Sequence, residues 1–271
     1  GITQQITALT SGTNYYFRVM ALDDSAHLSL ASVEVESKVL IKTLNDTGIY
    51  WGGNYPSGNN ADCTGEEITQ QDCSHGRDAQ AAANTLTKIG AGAAGFDFTK
   101  LDVSGTALSI QNSPWSTTGS EANGTQWSCV KDNHTGLIWE VKTTDGGIHD
   151  KNNTYRWGGL TAQGREHVSK EGTYYDDWNT LVADSNSNNF CGFNTGWRVP
   201  NPAELRSIVH LGRHSPSIDM DYFPNIGAPV WSSSPMAHDS NPAWNTSLFY
   251  GDTYGISRDT SRPVRLVRSG Q

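Results

Sequence analysis

No stretch of the sequence approaches the roughly 18 consecutive apolar residues that a helical membrane span requires, so none is expected in this segment. Positive charge is scarce. The 19 Lys and Arg stand against 28 Asp and Glu, for a formal net charge of −9. A nucleic-acid groove releases counterions from phosphates through a basic stripe, and an acidic chain without one is not expected to bind nucleic acid. Closely spaced cysteine pairs are missing as well. The nearest two of the four cysteines, Cys63 and Cys73, stand ten residues apart, whereas zinc sites use tighter pairs with histidines at short spacing. No Gly-x-Ser-x-Gly elbow marks one of the many serines as a nucleophile. His210 and His214 have the spacing of two ligands on one helix face, but the intervening Leu211-Gly212-Arg213 lacks the glutamate of a zinc peptidase. They read as surface or capping residues, with Gly212 ending the helix. The run Gly90-Ala91-Gly92-Ala93-Ala94-Gly95 spells the dinucleotide fingerprint, yet no apolar strand precedes it and no amphipathic helix follows. It reads as a flexible connection. These absences lead to the expectation of a protein that is not an enzyme and requires no cofactor.

What remains is a chain of 271 residues filled with Gly, Ser, Thr and Asn, with nine tryptophans and only 17% charged residues. That composition suits short strands and long loops better than a helical bundle. The length accommodates one large domain or two ordinary ones. An even cysteine count in loop-rich sequence reads as two disulfides, and hence an oxidising compartment. Of the three connectivities that four cysteines allow, Cys63–Cys73 with Cys129–Cys191 is favoured.

Residues 15–21 and 32–39 alternate in the manner of half-buried strands. Leu9 stands six residues ahead of Tyr15 in a run that resembles the tyrosine corner of a fibronectin type III domain, and Phe17, Arg18, Val19 and Ala21 continue the pattern. A full sandwich needs about seven strands. Only its last two or three fit in residues 1–43, so a longer parent chain with tandem modules upstream is expected. Residues 44–126 are loop-rich: 52–60 reads as a loop of Gly, Asn, Pro and Ser, and 78–88 as a short helix carried by its alanines.

From residue 127 the pattern sharpens. Residues 129–130 and 137–141 flank the turn-forming Asp132-Asn133-His134-Thr135-Gly136, which predicts a hairpin with Leu137, Trp139 and Val141 on one face. Residues 174–183 carry Trp178, Leu181 and Val182 at helical spacing, with Asp176 and Asp177 in a first turn whose macrodipole favours carboxylates. The clearest helix start is Asn201-Pro202-Ala203-Glu204: an N-cap, a proline at the first helical position and a glutamate completing a capping box. Leu205, Ile208 and Val209 give that helix a buried face. Residues 230–233, 246–250 and 263–268 are three short strand candidates, and Trp139, Trp197 and Trp231 sit in strand-like apolar runs that place them in the core.

Several of these pieces resemble one family, the C-terminal domain of the Legionella collagen-like adhesin, found on bacterial surface proteins. In order they are Trp127-Ser128-Cys129, Thr135-Gly136-Leu137-Ile138-Trp139-Glu140, Thr154-Tyr155-Arg156-Trp157, and Gly196-Trp197-Arg198-Val199-Pro200 running into Glu204-Leu205. Phe223-Pro224-Asn225, Trp231-Ser232-Ser233 and Val264-Arg265-Leu266-Val267-Arg268 follow. Leu44-Asn45-Asp46-Thr47-Gly48, Gly76-Arg77-Asp78 and Gly95-Phe96-Asp97-Phe98 are similar to an N-terminal extension seen in marine-type members. The resemblance implies an α+β, C-type-lectin-like domain with short strands, two helices and long loops, and a role in adhesion outside the cell or on the bacterial surface. It brings no catalytic residues. The expected organisation is the C-terminal part of a fibronectin type III-like domain over 1–43, a partial β-sandwich. A loop-rich extension packed on the main domain follows over 44–126, and the adhesin domain over 127–271. The adhesin that names the family is taken to grip sulfated polysaccharide through basic surface. This chain is acidic, which points away from sulfated glycans.

Two sets of residues are candidate sites. Asp150, Asn152 and Asn153, close together in an oxygen-rich loop, could present ligands to calcium, a hard cation that takes carboxylate and carbonyl oxygens. The alternative is an Asx-rich turn that satisfies its own backbone. The loops over 235–245 and 251–261 combine aromatic and small polar residues, the mixture that recognition surfaces use. Trp244 and Tyr254 are the expected anchors, with Asn241, Asp252 and Arg258 as polar contacts, for a glycan or a cell-surface protein. Self-assembly into a surface filament is the alternative use of the same loops.

Overall fold

A computed structural model of the protein describes residues 14–17, 20, 29, 35–38, 44–54, 58–60, 63, 70–157, 178–227, 229–237 and 241–270. The chain divides into two compact units, Gly1–Thr43 and Leu44–Gln271. In the first, β1 (Asn14–Phe17) pairs antiparallel with β2 (Val35–Lys38), Asn14 opposite Lys38 and Phe17 opposite Val35. Both strands overlap the stretches whose alternation predicts them. Leu9, the expected tyrosine-corner partner, lies outside the described residues.

The second unit is α+β; of the three α-helices among its described residues, two fall within residues 127–271, the number expected there, and one lies ahead of them. A hairpin of β3 (Gly52–Asn54) and β4 (Gly58–Asn60) replaces the loop expected over 52–60. Helix α1 (Gly76–Ala82) is followed by Asn84 at φ 57°, so the helix expected to reach residue 88 stops early. Next come β5 (Phe98–Leu101), β6 (Cys129–Asp132) and β7 (Leu137–Glu140), then α2 (Asn179–Ser187) and α3 (Pro202–Arg206). The chain ends in β8 (Val230–Pro235), β9 (Pro242–Thr246), β10 (Thr253–Ser257) and β11 (Val267–Ser269). One antiparallel sheet has the order β11-β7-β6-β5 and another the order β10-β9-β8. Residues 174–177, Asp176 and Asp177 among them, lie outside the described residues.

The β6–β7 hairpin forms where the turn chemistry directs it. The Asp132 carboxylate accepts from the backbone N–H of His134 and Thr135, and Gly136 supplies the positive φ of 71° that closes the turn. Helix α3 starts on the expected capping box: the Asn201 side chain accepts from Glu204 N, and Glu204 returns the bond to Asn201 N. Glu204 also holds Arg198 through both terminal guanidinium nitrogens, and Arg198 exchanges two backbone bonds with Val267, which ties the helix start to the edge of the four-stranded sheet.

Both faces of that sheet are buried. Leu137 and Trp139 point into a cluster with Phe96, Phe98, Trp127 and Leu205, while Ile138 points into a second cluster with Trp178, Trp197, Trp231 and Leu266. Trp139, Trp197 and Trp231 are core residues, at 0%, 2% and 0% exposure. Trp197 and Trp231 also satisfy their indole N–H groups, on the carbonyls of Phe190 and Tyr155. Cys129–Cys191 crosses the second cluster and Cys63–Cys73 closes the loop ahead of α1, the pairing favoured from sequence.

Buried carboxylates fasten residues 44–98 to this frame. Asp78, fully buried, accepts from Gly48 N and Gly95 N, while Asp46 accepts from Asp78 N. Burial pushes the Asp78 carboxyl up, its two backbone donors pull it down, and Asp46 and Asp72 push it up again. The Asn45 side chain bridges Asp132 and the Ser207 carbonyl. His210 belongs to the same seam and is not a surface or capping residue. At 2% exposure its ring lies 5.3 Å from that of Phe96, and a Cβ on Gly48 would collide with it. Helix α3 has already ended at Arg206, so Gly212 does not end it.

Candidate functional site

Residues 246–250, expected as a strand, instead end β9 at Thr246 and turn. Residues 235–245 and 251–261, expected as loops, contain most of β9 and β10, joined through residues 247–252 as an antiparallel hairpin. Ser247 organises the turn: its N–H donates to the Asp252 carbonyl, its carbonyl accepts from Gly251 N, and its hydroxyl accepts from Tyr250 N. Gly251 takes a φ of 84°, a value that favours glycine. Leu248 is buried in the core and anchors the turn, while Phe249 and Tyr250 project outward at 39% and 62% exposure. Their rings meet edge-on at 4.9 Å, and the His214 ring lies 5.9 Å from Tyr250. Ser215 N donates to the Phe249 carbonyl and Ser217 N to that of Leu248, so the 210–217 turn braces the tip.

The expected anchors do not form one face. Trp244 lies opposite Gly255 and Tyr254 opposite Asn245. Because successive side chains alternate sides, Trp244 and Tyr254 point to opposite sides of the hairpin. Both are half-buried. Arg258 is not an open polar contact: only 9% exposed, it lays its guanidinium 4.4 Å over the Trp157 ring, and its carbonyl accepts from Trp157 N. Asn241 is half-buried and accepts from the Ser257 hydroxyl, whereas Asp252 is exposed beside the tip. His238 and Asp239 lie outside the described residues. The exposed pair Phe249–Tyr250 was hidden in the sequence by its apolar spelling; the signal that marks it as a turn is the Gly251-Asp252 that follows.

In the 145–154 loop, both Asp150 oxygens are engaged by backbone, accepting from Gly146 N and Asn152 N, which hold its carboxyl below the usual range. Asn153 donates its amide to the carbonyls of Gly147 and Ile148, and Asn152 is exposed. These are the bonds of an Asx-rich turn. Beneath the loop lies a buried charge cluster. Glu140, fully buried, accepts from Lys142 Nζ at 2.8 Å, His149 Nδ1 at 2.7 Å and Leu266 N at 2.7 Å. Burial alone would raise its carboxyl, but Lys142 and His149 bring it down to about 2. Arg265 donates to the Glu140 carbonyl at 2.6 Å, and burial brings its guanidinium down to about 10.

Together the fold and this geometry define a disulfide-bonded α+β module that presents a braced aromatic hairpin tip from a core buried on both faces of its sheet. Residues 128–268, more than half of the chain, match the model of the Lcl C-terminal domain, and the chain belongs to that family. Membership indicates a bacterial surface-associated domain, and the two disulfides are compatible with an extracellular or surface location. No curated protein and no solved structure matches the chain. Among the described residues, no helix is long and apolar enough to cross a membrane.

Proposed function

We propose that the chain is a non-catalytic binding module of the bacterial surface that recognises a glycan or protein receptor through the tip of the β9–β10 hairpin. The observation that carries this reading is the exposure of Phe249 and Tyr250 on a turn whose neighbour Leu248 is locked in the core. Rigid aromatics held by a braced turn give contact area at small entropic cost, and Tyr250, His214 and Asp252 place hydrogen-bonding groups around them. The C-type-lectin-like arrangement is supported by the antiparallel sheets and the Cys129–Cys191 bridge, and the fibronectin type III-like reading of residues 1–43 by the antiparallel β1–β2 pair. The test is a Phe249→Ala/Tyr250→Ala variant assayed on a glycan array and on whole cells. It is expected to melt as the parent does and to lose binding. Parental binding by the folded variant would move the recognition surface elsewhere.

A second reading, a filament subunit, is supported by β10. It is the outer strand of its sheet and among the described residues pairs only with β9. Concentration-dependent growth in light scattering, abolished by Gly255→Pro, would favour it over receptor binding.

A further inference from the structure

The 90–95 run is a fixed wall, not a flexible connection. Lys88 Nζ donates to the carbonyls of Gly92 and Ala94 at 2.7 and 2.6 Å. Asp97 accepts from Ile89 N and Gly90 N at 2.8 and 2.7 Å, and Asp219 from Ala93 N at 2.9 Å. Both carboxylates are buried, at 4% and 3% exposure. The wall is therefore set before any ligand arrives, which removes an ordering cost from binding.

This wall borders a concavity of about 460 Å³, a size that small-molecule sites occupy. Its lining carries two cations, Lys100 and Arg213, and two carboxylates, Asp219 and Asp221. Lys100 is only 1% exposed; its ammonium sits 3.8 Å from the Trp127 ring centroid and donates to the Ser113 carbonyl at 2.8 Å. An ammonium has three N–H donors, and the Ser113 carbonyl is the protein acceptor of one of them. Arg213 is 38% exposed and only 3.4 Å from Asp219, a loose pair, and Asp221 stands exposed at the rim.

The balance of charge selects the ligand. An anion would gain from Lys100 and Arg213 but meet Asp219 and Asp221, and a cation would meet the reverse. A neutral polyol avoids both penalties, since each hydroxyl both accepts and donates. We propose that this concavity binds a neutral pyranose, whose hydroxyls accept from Lys100 and Arg213 and donate to Asp221. The site shares no residue with the hairpin tip, so either can fail alone.

Saturation-transfer NMR on the full chain tests this, with methyl glycosides of the neutral hexoses, pentoses and deoxyhexoses as probes and with glucuronate and glucosamine as charged counterparts. At least one neutral glycoside is expected to receive saturation and to bind more tightly than either charged sugar. Asp221→Ala, at an exposed position, is expected to weaken it by about tenfold or more, the worth of a charged hydrogen bond. Tyr250→Ala should leave it unchanged. No transfer from any neutral glycoside, preference for a charged sugar, or unchanged affinity in Asp221→Ala would each overturn the assignment. Loss of binding in Tyr250→Ala alone would place the sugar at the hairpin tip and overturn it as well.

Discussion

Replacing Glu140 with glutamine removes one charge from a place where three donors depend on it. The carboxylate accepts from Lys142, His149 and Leu266 N, and Lys142 is itself only 3% exposed. The amide preserves shape but turns an N–H toward at least one of those donors and leaves the ammonium without its counter-charge. Breaking a buried pair from one side costs about 3–5 kcal/mol, because the remaining ion stays desolvated. Urea unfolding at pH 7 with the disulfides intact reads this directly: at a slope of about 2 kcal/mol per molar, the midpoint falls by about 1.5–2.5 M. Glu140→Gln/Lys142→Met removes both charges and is expected to cost less than the single change, giving a coupling of the two sites in a double-mutant cycle. The pH matters for the sign. The folded carboxyl titrates at about 2, below its ordinary value of 4.5, so its contribution is complete above pH 4.5 and is lost as pH falls from there toward 2. A single variant losing under about 1 kcal/mol, or strictly additive effects, would refute the dependence of Lys142 on Glu140.

His210 titrates at about 4 when folded, because burial and Arg213 disfavour its cation. The unfolded ring takes its proton near pH 6.5, so stability falls by up to about 3 kcal/mol as pH drops from 6.5 to 4. His210→Leu should remove that slope, and parallel profiles for parent and variant would contradict it. Trp197→Ala is expected to cost about 3–5 kcal/mol in denaturant melts; a stable variant that loses binding would place this tryptophan in the site. Replacing both Cys129 and Cys191 with serine opens a loop of 62 residues and is expected to lower stability by about 4 kcal/mol, measured against the parent by calorimetry. Because the Asp150 oxygens already serve Gly146 N and Asn152 N, calcium addition after chelation is expected to leave the melting temperature unchanged, and an upward shift would favour the calcium reading over the Asx-rich turn.

Local chemistry was the legible part of this fold. The Asp132–Gly136 turn, the Asn201 capping box and the three core tryptophans each rest on interactions between near neighbours or on plain apolarity. Glu140 was not legible as a buried ion, since alternation in one hairpin implies one dry face and one wet one. Here residues far along the chain, Trp178, Trp197 and Leu266, cover the second face. The same kind of blindness affected the site. Aromatic spelling in 246–250 reads as strand, yet Ser247 and Gly251 bend it into a tip that carries Phe249 and Tyr250 into solvent. Trp244 and Tyr254 were separated by a register that no single strand reveals.

The pairing of β5 with β6 bears on where this protein can be cut. The family match begins at residue 128, one residue short of β6. A fragment starting there would lack β5, whose Lys100 stands opposite Val130 and whose Phe98 stands opposite Asp132. It would lack Phe96, Phe98 and Trp127 from the core and the Asn45 amide from Asp132. Such a fragment carries the whole matched segment and a raw strand edge beside an apolar hole, the condition under which expressed domains stick to one another. For anyone producing this module, the sensible start is ahead of Leu44, where the compact unit begins, rather than where the signature does.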